Sequence, residues 1–527
     1  MSAIDPMTNV SESPAIATLG ALKESGYTPR TVREEMRTNL IAKIRKGDTL
    51  FPGVVGYELT VIPQIENAIL SGQDIIFLGE RGQAKTRLAR SMIQLLDEWI
   101  PVVAGSEIND DPLEPISRYA IDLVAEAGED TPIEWLHRSR RYGEKLATPD
   151  TTIADLIGEV DPIKVAEGDT SRTSSISYGL IPRTNRGIFT LNELPDLAER
   201  IQVGLLNIME ERDVQIRGYK IRLPLDVFVV ASANPEDYTN RGRIITPLKD
   251  RYGSQIRTHY PETIELEIEI MDQERSTFST EGIEVMVPQF MKEIVAELTH
   301  LARRSPDVSQ RSGVSVRMSS ANYENLISNA TRRALRLGER NAVPRISDLA
   351  AVQSSTIGKI ELETVGEVRE EQIVSKLLAG AIVATFNRHF SVRQFDQLIQ
   401  GFENGLVVDA SELMPSMDYV LQISHMDGMK EAVDKLGVGG NLGRGGVGSR
   451  VCARRAAPQS ETQQGQRRRS SPLPSVTSSS HPTGFLRQRV ARDAGIRSQD
   501  SHHGTHTIRH PLLTMGRNTA SRRTQRG

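Results

Sequence analysis

Compact apolar runs alternate with amphipathic segments over the first half of this chain. Runs at residues 74–78, 187–191 and 227–231 predict buried strands, and residues 255–259 indicate a fourth. Residues 214–223 alternate around a glycine, which is typical of a β-hairpin. Strands of this kind separated by helical patterns predict an α/β domain with a parallel sheet.

Helical periodicity accounts for most of the remaining pattern. One helix is predicted from Thr31 as N-cap, with Glu34 as capping-box partner, to Gly47. Others are predicted around residues 61–69, 85–96, 113–127, 132–142 and 201–209. After residue 263 only helices are predicted, at 263–274, 288–304, 317–337, 347–361 and 368–387. We therefore expect a flexible segment at 1–27, an α/β core at 28–260, an α-helical lid with further helices at 261–437, and a tail at 438–527.

A glycine-bearing loop follows the first apolar run and precedes a helix, which is the setting of a phosphate-binding loop. Its backbone N–H groups and the helix N-terminus would face phosphate. Lys85 would reach the β- and γ-phosphates, and the Thr86 hydroxyl would ligate magnesium. Ala84 stands where a second glycine is expected, and its methyl group is tolerated if φ there is negative. The residues expected to bind nucleotide here are Gly79, Glu80, Arg81, Gly82, Gln83, Ala84, Lys85 and Thr86.

Four further positions follow in an order that suits ATP hydrolysis. Glu193 ends a strand where a carboxylate can polarise the attacking water, and Asn234 ends another where an amide can orient it. Arg251 follows a short helical turn and suits an arginine finger directed at a neighbouring subunit. Arg317 starts a lid helix and would contact phosphate. Taken singly, such residues more often have structural roles: Glu193 suits a helix cap, Asn234 a turn, and Arg251 a surface ion pair. Arg317 also suits a solvated side chain. Their joint order favours function.

Together these motifs resemble the magnesium chelatase I-subunit and MoxR branch of AAA+ ATPases, over residues 30–437. The residues that carry the resemblance are 51–56, 79–86, 156–161, 179–188, 233–235 and 250–251. Ala-Lys-Thr is a common form of the MoxR loop. The resemblance implies ATP and Mg²⁺ as cofactors, with Val55 and Gly56 beside the nucleotide. It also implies hexameric rings and a partner with a von Willebrand factor A domain. In chelatases the ring drives the insertion of magnesium into protoporphyrin by a separate, larger subunit.

One departure from the family pattern lies in the second acidic motif, which usually reads Asp-Glu and here reads Asn192-Glu193. The missing Asp normally holds magnesium through its water shell, so Asn192 stands at the metal with an acceptor oxygen but no charge. We expect weaker magnesium binding, and we favour a slow ATPase over an inactive one because Glu193 is retained.

Composition limits the cellular location and the class of ligand that we expect for this protein. The 527 residues contain one cysteine, no apolar run long enough for a membrane helix, and no secretory leader, so a cytoplasmic location is expected. Residues 438–527 hold 16 Arg and three acidic residues, a net charge of +13, which leaves −17 on the rest. An acidic body argues against binding to nucleic acid.

The tail at 438–527 differs from the body in composition. It is rich in Gly, Ser, Arg, Gln and His, and lysine, frequent before residue 435, does not occur in it. The change of composition favours a shifted reading frame over two alternatives, a native disordered tail and a nucleic-acid-binding arm.

Three functions fit these observations. The first is a MoxR-like motor that remodels or activates a partner protein. The second is the ATPase subunit of a true magnesium chelatase. The third is an AAA+ transcriptional activator, which is disfavoured because the Gly-Ala-Phe-Thr-Gly-Ala loop of sigma-54 activators does not occur in the sequence.

Overall fold

The structure is a computed structural model. It describes residues 12–160, 176–211, 213–215, 222–234, 242–276, 280–309, 312–363, 370–409, 411, 413–423, 432–433 and 435–436. The expectations for residues 1–11 and for the tail lie outside the described residues.

The strands are β1 (Ile75–Leu78), β2 (Trp99–Val103), β3 (Ile133–His137), β4 (Tyr142–Leu146), β5 (Gly158–Val160), β6 (Ile176–Tyr178), β7 (Gly187–Asn192), β8 (Asp213–Gln215), β9 (Arg222–Pro224), β10 (Val227–Ala233), β11 (Ser254–Arg257), β12 (Glu284–Val285) and β13 (Asn341–Ala342).

The α-helices are α1 (Leu19–Glu24), α2 (Val32–Lys46), α3 (Ile62–Leu70), α4 (Lys85–Ser91), α5 (Arg118–Ala127), α6 (Ile153–Leu156), α7 (Leu180–Arg183), α8 (Glu199–Glu210), α9 (Thr246–Arg251), α10 (Ile264–Glu274), α11 (Gln289–Arg304), α12 (Val316–Leu337), α13 (Val352–Ile357), α14 (Glu370–His389), α15 (Asp396–Glu403) and α16 (Ser416–Ile423).

Five parallel strands form the central sheet, in the order β11-β1-β10-β7-β4. The predicted parallel α/β core is therefore confirmed, including the fourth strand near residue 255. Strand β10 lies between β1 and β7. The carboxyl ends of these three strands therefore meet at one edge, where ligands bind in open α/β sheets.

The core packs on both faces of this sheet, so its inner strands β1, β10 and β7 are buried almost throughout. Along β10, Val227, Val229 and Ala231 belong to one apolar cluster, whereas Phe228 and Val230 belong to the other. The second cluster includes residues of α2, α3 and α4. This face positions α4, and with it the loop that precedes α4.

Helix α2 confirms the prediction made from its caps. The Thr31 side chain accepts a hydrogen bond from the backbone N–H of Glu34, and the Glu34 side chain accepts one from Thr31. Gly47 ends the helix in the left-handed conformation at φ +75°. These signals are local, so the sequence carries them in full.

The helix predicted at 132–142 is wrong. Residues 133–137 form β3, which pairs antiparallel with β2, and residues 142–146 form β4 at the edge of the central sheet. Partners 30 or more residues away therefore decide the conformation of this segment. The predicted hairpin at 214–223 is confirmed by the antiparallel pairing of β8 with β9.

Beyond residue 263 the structure is mainly helical, as predicted. The predicted helices correspond to α10, α11, α12 and α14, while 347–361 is a 3-10 turn (Ile346–Ala351) followed by α13. One compact unit comprises residues 1–331 and 343–385, and a third apolar cluster within it joins α10, α11 and α14. The second unit comprises residues 332–342 and the described residues from 386 onward, and Phe386, Phe390 and Phe395 pack their rings together there.

Candidate functional site

The loop between β1 and α4 is tightly folded. Gly82 has φ +78°, and a Cβ at Gly82 would collide with Ser315, as a Cβ at Gly79 would with Thr258 and Gln83. Ala84 also has a positive φ, +55°, so the condition under which its methyl group would cause no strain is not met. The loop therefore adopts the conformation that glycine favours, with alanine bearing the strain.

Lys85 begins α4, and its side chain is buried beneath the loop. Its ammonium donates to the carbonyl oxygens of Gly79 (2.5 Å) and Glu80 (2.8 Å) and to Oδ1 of Asn234 (2.6 Å). A lysine ammonium has three donors. Lys85 therefore joins the phosphate loop to the end of β10.

Glu193 and Asn234 meet at the same edge of the sheet. Nδ2 of Asn234 donates to Oε2 of Glu193 at 2.5 Å, so Lys85, Asn234 and Glu193 form one hydrogen-bonded chain. Glu193 has φ +54°, and its backbone N–H donates to the hydroxyl of Ser232 at 3.3 Å. A left-handed glutamate is backbone strain of the kind that concentrates at functional sites.

Asn192 is held by two side chains. Its Oδ1 accepts from the Ser232 hydroxyl at 3.1 Å, and its Nδ2 donates to Oε1 of Glu144 at 2.8 Å. Glu144 also pairs with Arg90 of α4, with its two oxygens 2.7 and 3.0 Å from Nε and Nη2. Burial raises the pKa of the neighbouring Tyr142 well above its ordinary value, and the negative charge of Glu144 adds to that rise.

Sequence reasoning missed Glu144. It lies two residues after the helix predicted at 132–142, and its position matters only through Asn192, 48 residues further along the chain. A single acidic residue in an edge strand belongs to no sequence motif. Only the parallel pairing of β4 with β7 brings Glu144 close to Asn192.

The remaining loop residues mostly support the loop itself. The Gln83 side chain accepts from the backbone N–H of Glu80 (3.0 Å) and from the Thr258 hydroxyl (2.7 Å). Thr86 is half-buried in the first turn of α4, and Val55 and Gly56 are half-buried in the turn before α3. Their predicted roles at the nucleotide and the metal stay predictions.

The helical region also contacts the loop. The Tyr260 hydroxyl donates to the Arg81 carbonyl at 3.0 Å, and the Arg303 guanidinium of α11 lies 4.3 Å from the centre of the Tyr260 ring. Ser315, beside Gly82, immediately precedes α12. These contacts place the start of α12 over the phosphate loop. Arg317 is exposed in the first turn of that helix. It lies near the phosphate loop only because it follows Ser315 by two residues.

Arg251 lies at the end of α9 and is held in its own chain. Its guanidinium bonds Glu210, the last residue of α8, with 2.6 Å between Nη2 and Oε2, and it lies 3.5 Å from Asp250. The Arg251 side chain is 30% exposed, so it remains reachable from outside the subunit. Its predicted role as an arginine finger stays a prediction.

The loop fits a nucleotide phosphate, because its glycines leave no room for side chains and a buried ammonium lies beneath it. Among the described residues, no group of three or more His, Cys, Asp or Glu side chains is placed to hold a metal ion. A magnesium ion would therefore take most of its ligands from phosphate oxygens and water, with the Thr86 hydroxyl added.

The sheet order, the loop between β1 and α4, and the helices that follow the sheet define the fold of an AAA+ P-loop protein. The sequence profile of the Sigma-54 interaction domain matches residues 166–248, a segment that holds β7, α8 and β10. Among curated proteins, no sequence matches this chain. No helix in the described part of the chain is long and apolar enough to cross a membrane.

Three solved structures illustrate the similarity. The complex between BchI and BchD of magnesium chelatase is 19% identical over 62% of this chain and 98% of that chain, with a TM-score of 0.32. NtrX from Brucella abortus is 13% identical over 77% and 74%, with a TM-score of 0.36. Hsp104 with ATPγS and casein is 13% identical over 61% and 52%, with a TM-score of 0.37. These values are too low to assign a function.

Proposed function

We propose that this chain binds MgATP at the 79–86 loop and hydrolyses it. The observation that carries the proposal is the hydrogen-bonded chain from Lys85 through Asn234 to Glu193. It puts a phosphate-binding ammonium and a carboxylate on opposite sides of one amide. The Glu193 carboxylate accepts a proton from the attacking water, Asn234 orients that carboxylate, and Lys85 neutralises phosphate charge.

Two substitutions test this function. Lys85→Ala should abolish binding of a fluorescent ATP analogue, because the buried ammonium is lost. Glu193→Gln should bind the analogue as the wild type does but release phosphate at least about a hundredfold more slowly, since general-base catalysis contributes on that scale. Lys46→Ala and Glu199→Gln are matched controls outside the site and should change neither measurement. Equal phosphate release by wild type and Glu193→Gln would rule out the assigned base.

We further propose that the ATPase works as a ring of identical subunits, of the hexameric chelatase and MoxR type, that remodels or activates a partner protein. The motifs at 51–56, 79–86 and 179–188 support this proposal. Size-exclusion chromatography of Glu193→Gln with and without MgATP tests assembly, since trapped ATP should favour the ring. A monomer under both conditions would contradict it.

The partner separates the two chelatase-like candidates. A pull-down from native extract with residues 1–437 as bait should capture a protein with a von Willebrand factor A domain if the chain is a MoxR-like motor. Capture of a large porphyrin-binding subunit, with ATP-dependent insertion of magnesium into protoporphyrin, would instead show a true magnesium chelatase.

The match of residues 166–248 to the Sigma-54 interaction domain favours one further candidate, a transcriptional activator. The acidic body and the lack of a Gly-Ala-Phe-Thr-Gly-Ala sequence weigh against it. ATP-dependent stimulation of transcription by sigma-54 RNA polymerase in a purified system would establish it.

A further inference from the structure

The carboxylate of Glu144 lies directly beside the position where the family pattern has an aspartate. Oε1 of Glu144 accepts from Nδ2 of Asn192 at 2.8 Å, and Arg90 holds both Glu144 oxygens. The Asn192 side chain is thus one hydrogen bond away from a full negative charge.

The strand register explains why the two side chains meet. Glu144 of β4 pairs with Thr190 of β7, and Asn192 lies two residues after Thr190. Side chains two residues apart on a strand share a face, so Glu144, Thr190 and Asn192 point to the same side of the sheet. Arg90 of α4 reaches Glu144 on that side, and α4 begins with Lys85 and Thr86. Glu144 therefore faces the element that carries the predicted metal ligand.

We propose that Glu144, acting through Asn192, supplies the negative charge at the magnesium site that Asn192 itself lacks. The negative charge lies on β4 instead of β7. The hydrogen bond between the Asn192 amide and Glu144 links this charge to the predicted magnesium position. Glu144 is then a positioning residue for the hydrated cation of MgATP. This inference rests on the ATPase function proposed above.

A purely structural role for Glu144 makes a different prediction. If its only task is to anchor α4 through Arg90, removing its charge would weaken ATP binding equally with and without magnesium. If its charge serves the cation, only the magnesium dependence would change. The two roles are therefore separated by a binding measurement that does not require turnover.

The test compares binding of a fluorescent ATP analogue in EDTA and across a magnesium titration. Glu144→Gln keeps the size of the side chain and an oxygen that can accept from Asn192. Its affinity in EDTA should stay within about twofold of wild type, while the half-saturating magnesium concentration rises about tenfold. Glu134→Gln, an exposed glutamate on β3, is the matched control and should leave both values unchanged.

Three more variants fix the sign of the effect. Arg90→Gln removes the cation that partly neutralises Glu144, so it should lower the half-saturating magnesium concentration about threefold. Asn192→Asp alone adds a second negative charge beside Glu144 and should likewise lower it. The double variant Asn192→Asp with Glu144→Gln restores one charge and one amide, and should return the value to that of wild type.

An unchanged magnesium requirement in folded Glu144→Gln would overturn the inference. If Glu144→Gln does not fold, Arg90→Gln decides: a lower magnesium requirement supports the inference, and an unchanged or higher one overturns it. Failure of the wild type to bind the analogue in either condition would instead contradict the proposed ATPase function.

Discussion

A buried ion pair fastens helix α2 to the edge of the central sheet, and its removal should be costly. Glu35 of α2 and Arg141, which precedes β4, have side chains only 4% and 1% exposed. Two hydrogen bonds of 2.7 and 2.6 Å join them. Glu35 also accepts from the backbone N–H of Asp97, and Arg141 donates to the Arg186 carbonyl.

Glu35→Ala would leave the Arg141 guanidinium buried without its carboxylate. Breaking such a pair from one side costs about 3–5 kcal/mol, so we expect a loss of about 4 kcal/mol in the free energy of unfolding. Urea unfolding followed by tryptophan fluorescence measures it, because Trp99 and Trp135 line the same cavity of about 160 Å³ as this ion pair.

Glu34→Ala is the matched control, since Glu34 is the exposed neighbour of Glu35 and its capping role is worth only about 1 kcal/mol. Replacing both partners, Glu35→Leu with Arg141→Met, should recover most of the loss, because apolar groups of similar size leave no buried charge. A Glu35→Ala loss no larger than that of Glu34→Ala would refute this reasoning.

Three other outcomes are expected. Ala84→Gly should raise the free energy of unfolding by about 0.5–1 kcal/mol in the same urea assay, because glycine relieves the strain of φ +55°; a less stable variant would show that the methyl group matters more. Mixing Arg251→Ala with Lys85→Ala subunits should restore part of the ATPase rate if Arg251 acts in a neighbouring site, and a rate equal to the sum of the separate variants in mixed rings would refute that. Deleting residues 438–527 should leave the ATPase rate and the melting temperature unchanged at physiological salt, since the composition of the tail cannot bury a core; a large drop in melting temperature would contradict this.

Local chemistry explains which parts of the fold could be predicted from the sequence. The caps of α2, the apolar strands β1, β7 and β10, and the long helices after residue 263 all carry their signal within a few residues. The segment at 132–142 does not, because β3 and β4 exist only through pairing with β2 and β7. Its apolar spacing suits a helix equally well, and distant partners decide between the two.

The site residues that could be predicted from the sequence are those that follow a clearly apolar strand. Lys85, Glu193 and Asn234 each follow a buried run, and the structure brings them together. The backbone at Ala84 and the contact of Glu144 with Asn192 could not be predicted. The first depends on how the loop packs beneath Ser315, and the second on which strand lies next to β7.

The full engagement of Lys85 has a calorimetric consequence. Its three donors already have three oxygen partners, so a phosphate that binds this lysine replaces a protein acceptor rather than filling an empty position. The heat released at Lys85 is then the difference between two strong hydrogen bonds, which is small. If the Asn234 bond is the one exchanged, the released amide oxygen must find a new donor, so part of the heat of nucleotide binding originates at the end of β10, outside the loop that holds the phosphate.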